Sequence, residues 1–296
     1  MGSTKSAPEV FRSVAGRARY FEAYDAALRE WPAPFEEIDI STSLGTTHVI
    51  ANGSRQAPPV VLLPSLAASA IMWKPTVAAL SMHFRTYAID TIGQTGKSVP
   101  SKHFRSRSEM AQWLTDLFDG LGVARASIVG SSYGAFLALN QASLTPDRVD
   151  RIVLIGPAAT FVGFSWRFYY VMLVKIPMRK LLRGKRTSDS TTLPGGTRLA
   201  PDGWGRLMSV TMSESARPTL ARPIVFSGRE LRAVKAPVLL LVGEREVLYK
   251  PEPTLRLAMQ RMPGLTGAVI PNADHLASIS APAEVNARVL EFLQSG

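Results

Sequence analysis

The sequence contains no cysteine and no long uncharged apolar run. Without cysteine there can be no disulfide, no thiolate nucleophile and no cysteine metal site, so packing must stabilise the fold. The apolar stretch around Val171 is interrupted by Arg167, Lys175 and Pro177, whereas a helix needs about twenty apolar residues to cross a bilayer. Because no secretory leader pattern opens the chain, we expect a soluble, cytoplasmic protein.

Histidine is scarce, with four in 296 residues, and the four do not recur at the short spacings of a metal site. One stretch, Gly93-Gln94-Thr95-Gly96-Lys97-Ser98, hints at a phosphate-binding loop. The first glycine of that motif would fall on Thr91, however, and Pro100 lies close to where the following helix should begin. We therefore predict neither a metal nor another cofactor.

The positive charge is concentrated in one segment. Residues 157–236 carry fourteen Lys and Arg against four Asp and Glu, which accounts for most of the formal net charge of +11. A uniformly basic chain would favour nucleic acid, whereas basic charge confined to one aromatic-containing segment also suits weak contact with a membrane surface. A solvated helical face is the simpler interpretation, and we favour it. We predict no nucleic-acid partner, and the oligomeric state stays open.

From Phe35 onward, short β-like runs alternate with helical patterns. This alternation is typical of a mostly parallel sheet with helices on both faces, and continuously apolar runs are expected where strands are buried on both sides. The sequence therefore predicts an α/β fold with an eight-stranded sheet.

The alternation is interrupted between the sixth and seventh predicted strands by residues 157–236, where a basic amphipathic stretch precedes one rich in Ser, Thr, Gly and Pro. A helical insertion over the strand ends is where a substrate cover would lie, so we predict a lid. For the rest of the chain we predict an N-terminal helical segment, 1–34, that packs on the core. The core itself is predicted to consist of two parts, 35–156 and 237–296.

The most informative motif is Gly130-Ser131-Ser132-Tyr133-Gly134, which follows an apolar strand pattern and precedes a helical one. In this setting a G-x-S-x-G motif places its serine on a sharp strand-to-helix turn with the hydroxyl exposed. We therefore predict that Ser132 is a nucleophile.

A serine hydroxyl needs a base to take its proton and a third group to orient that base. His275 is the one histidine downstream of Ser132, and it follows the last predicted strand. Glu246, just after the seventh strand, has the spacing expected of the orienting carboxylate, with Glu244 and Asp274 as alternatives. The order serine, acid, histidine is that of one of the known triad arrangements.

These features resemble the α/β-hydrolase superfamily, and within it the bacterial carboxylesterase-type serine hydrolases. The resemblance covers nearly the whole chain and implies an α/β-hydrolase fold with Ser132 as nucleophile, His275 as general base and then acid, and Glu246 as orienting carboxylate. Many relatives have aspartate at the last position. The stretches that carry the resemblance are Trp31-Pro32, Gly45–Ile50, Asp90–Gly93, Gly130–Gly134 and Gly243–Val247.

The resemblance also implies an oxyanion hole formed by two backbone amides, those of Tyr133 and Leu66. Relatives often have His-Gly where this chain has Pro64-Ser65, so we expect an intact but reshaped hole. Ser65 either contacts substrate through its hydroxyl or caps the loop. Further substrate contacts are expected from apolar residues of the lid, namely Phe161, Phe164, Trp166 and Met172.

The function that follows is hydrolysis of a small carboxylic ester with an apolar acyl group, through an acyl-enzyme on Ser132. An acyltransferase, a thioesterase, a lactonase or a C–C hydrolase could use the same three side chains. A different class of protein also stays open, because a non-catalytic ligand-binding protein could have an α/β-hydrolase-like fold.

Overall fold

The computed structural model describes residues 7–170, 202–216, 218 and 220–295. The strands within these ranges are β1 (Phe35–Thr42), β2 (Gly45–Asn52), β3 (Pro59–Leu63), β4 (Arg85–Ile89), β5 (Val99–Pro100), β6 (Ala126–Ser131), β7 (Val149–Ile155), β8 (Val238–Gly243) and β9 (Leu265–Ile270). The α-helices are α1 (Val14–Leu28), α2 (Lys74–Leu80), α3 (Arg107–Gly120), α4 (Tyr133–Leu144), α5 (Trp166–Tyr170), α6 (Gly203–Glu214), α7 (Gly228–Ala233), α8 (Pro251–Arg261), α9 (Ala277–Ser280) and α10 (Pro282–Gln294).

The strands form one sheet in the order β1-β2-β4-β3-β6-β7-β8-β9. The pairs from β4 to β9 are parallel, and β2 runs antiparallel to both of its main neighbours. The predicted α/β fold with a mostly parallel sheet is confirmed. The eight predicted strands all form, and β5 adds a two-residue ninth on β2, too short for a sequence pattern to reveal.

Two apolar clusters cover the two faces of the sheet. Strand β3 contributes side chains to both clusters. Val61 and Leu63 belong to the cluster that contains α3 and α4. Val60 and Leu62 belong to the cluster that contains α1 and α10. All four side chains are fully buried. Burial on both faces explains why this strand is a continuous apolar run rather than an alternating one.

The N-terminal helix α1 and the residues just before it contact α6, which lies in the second half of the 157–236 insertion. Arg19 forms an ion pair of 2.7 Å with Glu214, and the amide of Arg12 donates to the carbonyl of Glu214 over 2.9 Å. The buried rings of Tyr20 and Trp204 belong to the same apolar cluster. The N-terminal segment thus anchors part of the insertion to the core.

The carboxyl ends of β3, β4, β6, β7, β8 and β9 lie along one edge of the sheet, because these strands are parallel neighbours. Ligand sites of open α/β sheets lie at this edge. The loops that leave it carry every residue of the candidate site described below.

Candidate active site

Ser132 lies between the end of β6 and the start of α4, with φ 51° and ψ −107°. A positive φ is uncommon for a residue with a side chain and marks a sharp, strained turn. Backbone hydrogen bonds hold it, since the amide of Ser132 donates to the carbonyl of Ile155 over 2.8 Å and its carbonyl accepts from the amide of Phe136 over 3.1 Å. This is the predicted strand-to-helix turn.

The two glycines of the motif are required by close packing. A Cβ on Gly134 would lie 2.1 Å from the carbonyl oxygen of Leu63, and a Cβ on Gly130 would lie 2.4 Å from the carbonyl carbon of Gly134. Both contacts are with backbone atoms, which cannot rotate away. The first turn of α4 therefore packs directly against the end of β3.

The structure brings Ser132, His275 and Glu246 together. The Nε2 atom of His275 lies 2.9 Å from Oγ of Ser132, and Nδ1 lies 2.8 Å from Oε2 and 3.0 Å from Oε1 of Glu246. A proton on Nδ1, donated to the carboxylate, leaves Nε2 as the acceptor for the serine hydroxyl. All three residues are buried.

Backbone amides fix the carboxylate of Glu246. Its Oε1 atom accepts from the amides of Val247 and Leu248 at 2.7 and 2.9 Å. Of the two alternative carboxylates, Glu244 accepts from the amide of Asn272 and Asp274 accepts from the amide of Leu276. The carboxylate in contact with the His275 ring is therefore that of Glu246.

The loop that follows β3, residues 64–69, contains the predicted oxyanion donor Leu66 and is called the oxyanion loop below. The amide of Ser65 donates to Sδ of Met72 over 3.1 Å, and the amide of Ala67 donates to Oε1 of Gln94 over 2.6 Å. The amide of Leu66, between them, has no acceptor among the residues that the structure describes. The amide of Tyr133 is the first of α4 and has no acceptor within the helix.

The hydroxyl of Ser65 points to the turn at the predicted nucleophile Ser132, which is called the nucleophile turn below. It donates to Oγ of Ser131 over 2.9 Å, and both side chains are buried. Of the two roles predicted for Ser65, this contact fits that of holding the loop. Neither Ser131 nor Gln94 was singled out from the sequence, because each acts on a loop that is distant along the chain.

The insertion contacts the site through residues of its first and second halves. The hydroxyl of Ser165 donates to the carbonyl of Val247 over 3.3 Å. The Tyr133 hydroxyl donates to the carbonyl of Ala221 over 3.0 Å, and burial raises the pKa of this phenol, which keeps it protonated as a donor. The insertion is thus hydrogen-bonded to Val247, directly after Glu246, and to Tyr133, directly after Ser132.

The predicted lid contacts occupy different environments. Phe161 is buried in the apolar cluster around α4, and Phe164 packs on that cluster with its ring 4.7 Å from the ring of Phe168. Trp166 is 75% exposed, and Met172 lies outside the described residues. The packing of Phe161 is that of a core residue.

The described residues contain no group of three or more His, Asp or Glu that could hold a metal ion. Across the same residues, no helix is both long and apolar enough to span a membrane.

The geometry suits nucleophilic catalysis. A serine hydroxyl within hydrogen-bond reach of an imidazole, itself oriented by a carboxylate, is the arrangement that activates serine for attack on a carbonyl carbon. The amides of Tyr133 and Leu66, which have no acceptor among the described residues, stay the predicted donors to a negative oxygen that develops on that carbon.

Comparison with known proteins agrees with this geometry. The model of the alpha/beta hydrolase family matches residues 60–288, so the chain belongs to that family. It is 36% identical over 293 residues to carboxylesterase YbfK of Bacillus subtilis, covering 97% of each chain. Its fold superimposes on the crystal structure of naproxen esterase (carboxylesterase NP) from Bacillus subtilis with a TM-score of 0.85 and 34% identity, covering 97% of this chain and 100% of the other.

Proposed function

We propose that the protein is a carboxylesterase that cleaves small carboxylic esters through an acyl-enzyme on Ser132. The observation that carries the proposal is the continuous chain of hydrogen bonds from Ser132 through His275 to Glu246. The esterases of Bacillus subtilis that this chain resembles over nearly its whole length support the ester as substrate.

In the first half-reaction, Oγ of Ser132 attacks the ester carbonyl carbon while Nε2 of His275 takes the hydroxyl proton. The amides of Tyr133 and Leu66 stabilise the oxyanion of the tetrahedral intermediate. When this intermediate collapses, the C–O bond to the alcohol breaks and His275 returns its proton to the leaving oxygen. Glu246 stabilises the imidazolium that exists between these two transfers.

In the second half-reaction, water attacks the acyl-enzyme. His275 takes a proton from that water, and a second tetrahedral intermediate forms in the same oxyanion hole. Its collapse releases the carboxylic acid and returns the proton to Ser132. Water is the acceptor in this proposal, and an alcohol, thiol or amine in its place would make the protein an acyltransferase.

The substrate's acyl group is proposed to be apolar, and residues 157–236 are proposed to cover it. The support is that Phe164 and the rings of α5 lie in a segment bonded to the loop after Glu246. A cytoplasmic location stays a prediction from composition, and weak contact of the basic segment with a membrane surface stays the less favoured alternative to a solvated face. The metal-free, cofactor-free reaction is likewise part of the proposal.

The test is hydrolysis of p-nitrophenyl esters of increasing acyl length by the parent, Ser132→Ala and His275→Ala. Each substitution is expected to lower kcat by about 10⁴-fold or more. His83→Ala, at an exposed histidine, is the matched control and is expected to retain parental activity. A serine-directed fluorophosphonate should label the parent and not Ser132→Ala.

The outcomes separate the candidate functions. Turnover that survives in Ser132→Ala would overturn the mechanism. A parent that labels but turns over no ester would direct the assay to thioesters, lactones and acyl acceptors. A parent that neither labels nor turns over would be a ligand-binding protein.

A further inference from the structure

The oxyanion loop holds its central peptide in a conformation that its own residues disfavour. Ala67 has φ 60°, in the left-handed region that favours glycine. The Ala67 amide, which donates to Gln94, belongs to the peptide bond between Leu66 and Ala67. This peptide bond therefore joins the strained residue to the residue whose own amide is the predicted oxyanion donor. Some external contact must keep this peptide in place, since a relaxed Ala67 would turn it.

Gln94 supplies that contact. Its Oε1 atom accepts from the amide of Ala67 over 2.6 Å, and the residue is 1% exposed. A backbone amide can only donate, so the atom that faces it must be the carbonyl oxygen of the glutamine side chain. No water can replace this acceptor without entering a buried region, and its loss leaves the Ala67 amide unpaired.

The loop that carries Gln94 is itself held rigidly. The amide of Gln94 donates to the carbonyl of Thr91 over 3.1 Å. The carboxylate of Asp90 accepts from the amide of Lys97 over 2.7 Å and, through its other oxygen, from the amide of Ala70 over 2.7 Å. The loop after β4 therefore contacts the loop after β3 at two points, on either side of residues 68 and 69.

We propose that Gln94 is a positioning residue that sets the Leu66 amide in the oxyanion hole by holding the Ala67 amide. This inference rests on the proposed function, because the Leu66 amide has a catalytic role only if Ser132 forms tetrahedral intermediates. The Leu66 amide stabilises charge in the transition state and not in the bound ester. Displacing it therefore lowers kcat and leaves KM nearly unchanged.

Gln94→Leu tests the proposal, because leucine has similar volume and no acceptor. Removal of a whole oxyanion donor costs about 10²–10³ in kcat, and a displaced donor costs less, so we expect kcat to fall about 10–30-fold with KM changed less than about threefold. Affinity for a boronic acid that forms a tetrahedral adduct with Ser132 is expected to fall by the same factor as kcat.

Two further variants separate positioning from a general structural effect. Gln94→Glu keeps an acceptor oxygen at the same reach and is expected to recover more than half of the loss on a logarithmic scale. Thr91→Val alters a buried hydroxyl of the same loop that has no partner among the described residues, and parental kcat and boronate affinity are expected. If Gln94→Leu does not fold, Gln94→Asn replaces it, since its carbonyl falls one methylene short.

Parental kcat and boronate affinity in a folded Gln94→Leu would overturn the inference, and so would an equal loss in Thr91→Val or an effect confined to KM. If Ser132→Ala is inactive in the same assays, the proposed function stands even though this inference fails. If Ser132→Ala is active, the proposed function itself is wrong.

Discussion

The nucleophile turn and the oxyanion loop are in contact through Ser131 and Ser65, and they are held by different means. The turn at Ser132 is fixed by backbone bonds and by glycines that pack against backbone atoms. The oxyanion loop is fixed by side chains from other segments, those of Gln94 and Ser131, and the Asp90 side chain holds Ala70 directly after it. Each has one non-glycine residue at positive φ, Ser132 in the turn and Ala67 in the loop.

This difference decides how each region responds to substitution. A turn built from backbone contacts tolerates no added atom, because neither partner can move independently of the sheet. A loop held by several side-chain hydrogen bonds loses one contact at a time, and each is worth only about 0.5–1.5 kcal/mol net. Substitutions in the turn should therefore act as all or none, whereas those in the loop should act gradually.

The largest effect is expected for Gly134→Ala, which breaks the turn. Its Cβ would lie 2.1 Å from the carbonyl oxygen of Leu63, so the strand or helix must shift. We expect destabilisation of about 1–3 kcal/mol and loss of measurable esterase activity, checked by urea unfolding and ester hydrolysis. Gly264→Ala, where nothing lies within 4 Å of the added Cβ, is the control, and an equal effect there would contradict the packing argument.

The next largest effect is expected for Glu246→Gln, which changes a side chain of the site and leaves the backbone packing of the turn intact. It removes the charge opposite Nδ1 of His275 while its carbonyl can still accept from the amides of Val247 and Leu248. We expect kcat to fall about 10³–10⁴-fold, as in other triads that lose this charge. Glu244→Gln should stay within about threefold of the parent. The reverse order of effects would assign the orienting role to Glu244.

A smaller effect is expected for Ser65→Ala, which removes the bond between the two regions. Its hydroxyl is the donor to Oγ of Ser131, and loss of one such bond costs about 1 kcal/mol. We expect kcat to fall less than about tenfold, with the folded state retained. A loss as complete as that of Ser132→Ala would show that Ser65 itself contacts the reacting atoms.

The smallest effect is expected for Tyr133→Phe. It removes the bond to the carbonyl of Ala221 in the insertion and leaves the Tyr133 backbone amide unchanged. We expect a loss of about 1 kcal/mol in the free energy of unfolding and a kcat within about threefold of the parent. Esters with long acyl chains are the most sensitive substrates for this comparison. A changed preference of Tyr133→Phe for acyl length would show that the insertion helps to shape the acyl pocket.

The nucleophile turn could be predicted from sequence because its parts are contiguous. Gly130, Ser132 and Gly134 lie within five residues, and the apolar strand before them and the helix after them supply the required context. His275 and Glu246 could be chosen as well, since each follows a predicted strand and the carboxyl ends of parallel strands meet at one edge. Their roles in catalysis stay predictions, although their side chains are in contact.

The sequence by itself determined the α/β architecture, the position of Ser132 on its turn and the order of the three candidate catalytic side chains, because each depends on local apolar pattern or on neighbouring residues. Tertiary structure alone decided that Gln94 holds Ala67, that Ser65 binds Ser131 and that the insertion is hydrogen-bonded to Val247 and Tyr133. These contacts join loops that are 27 to 88 residues apart along the chain. No local pattern encodes such a pairing, since it exists only after the sheet has brought the strand ends together.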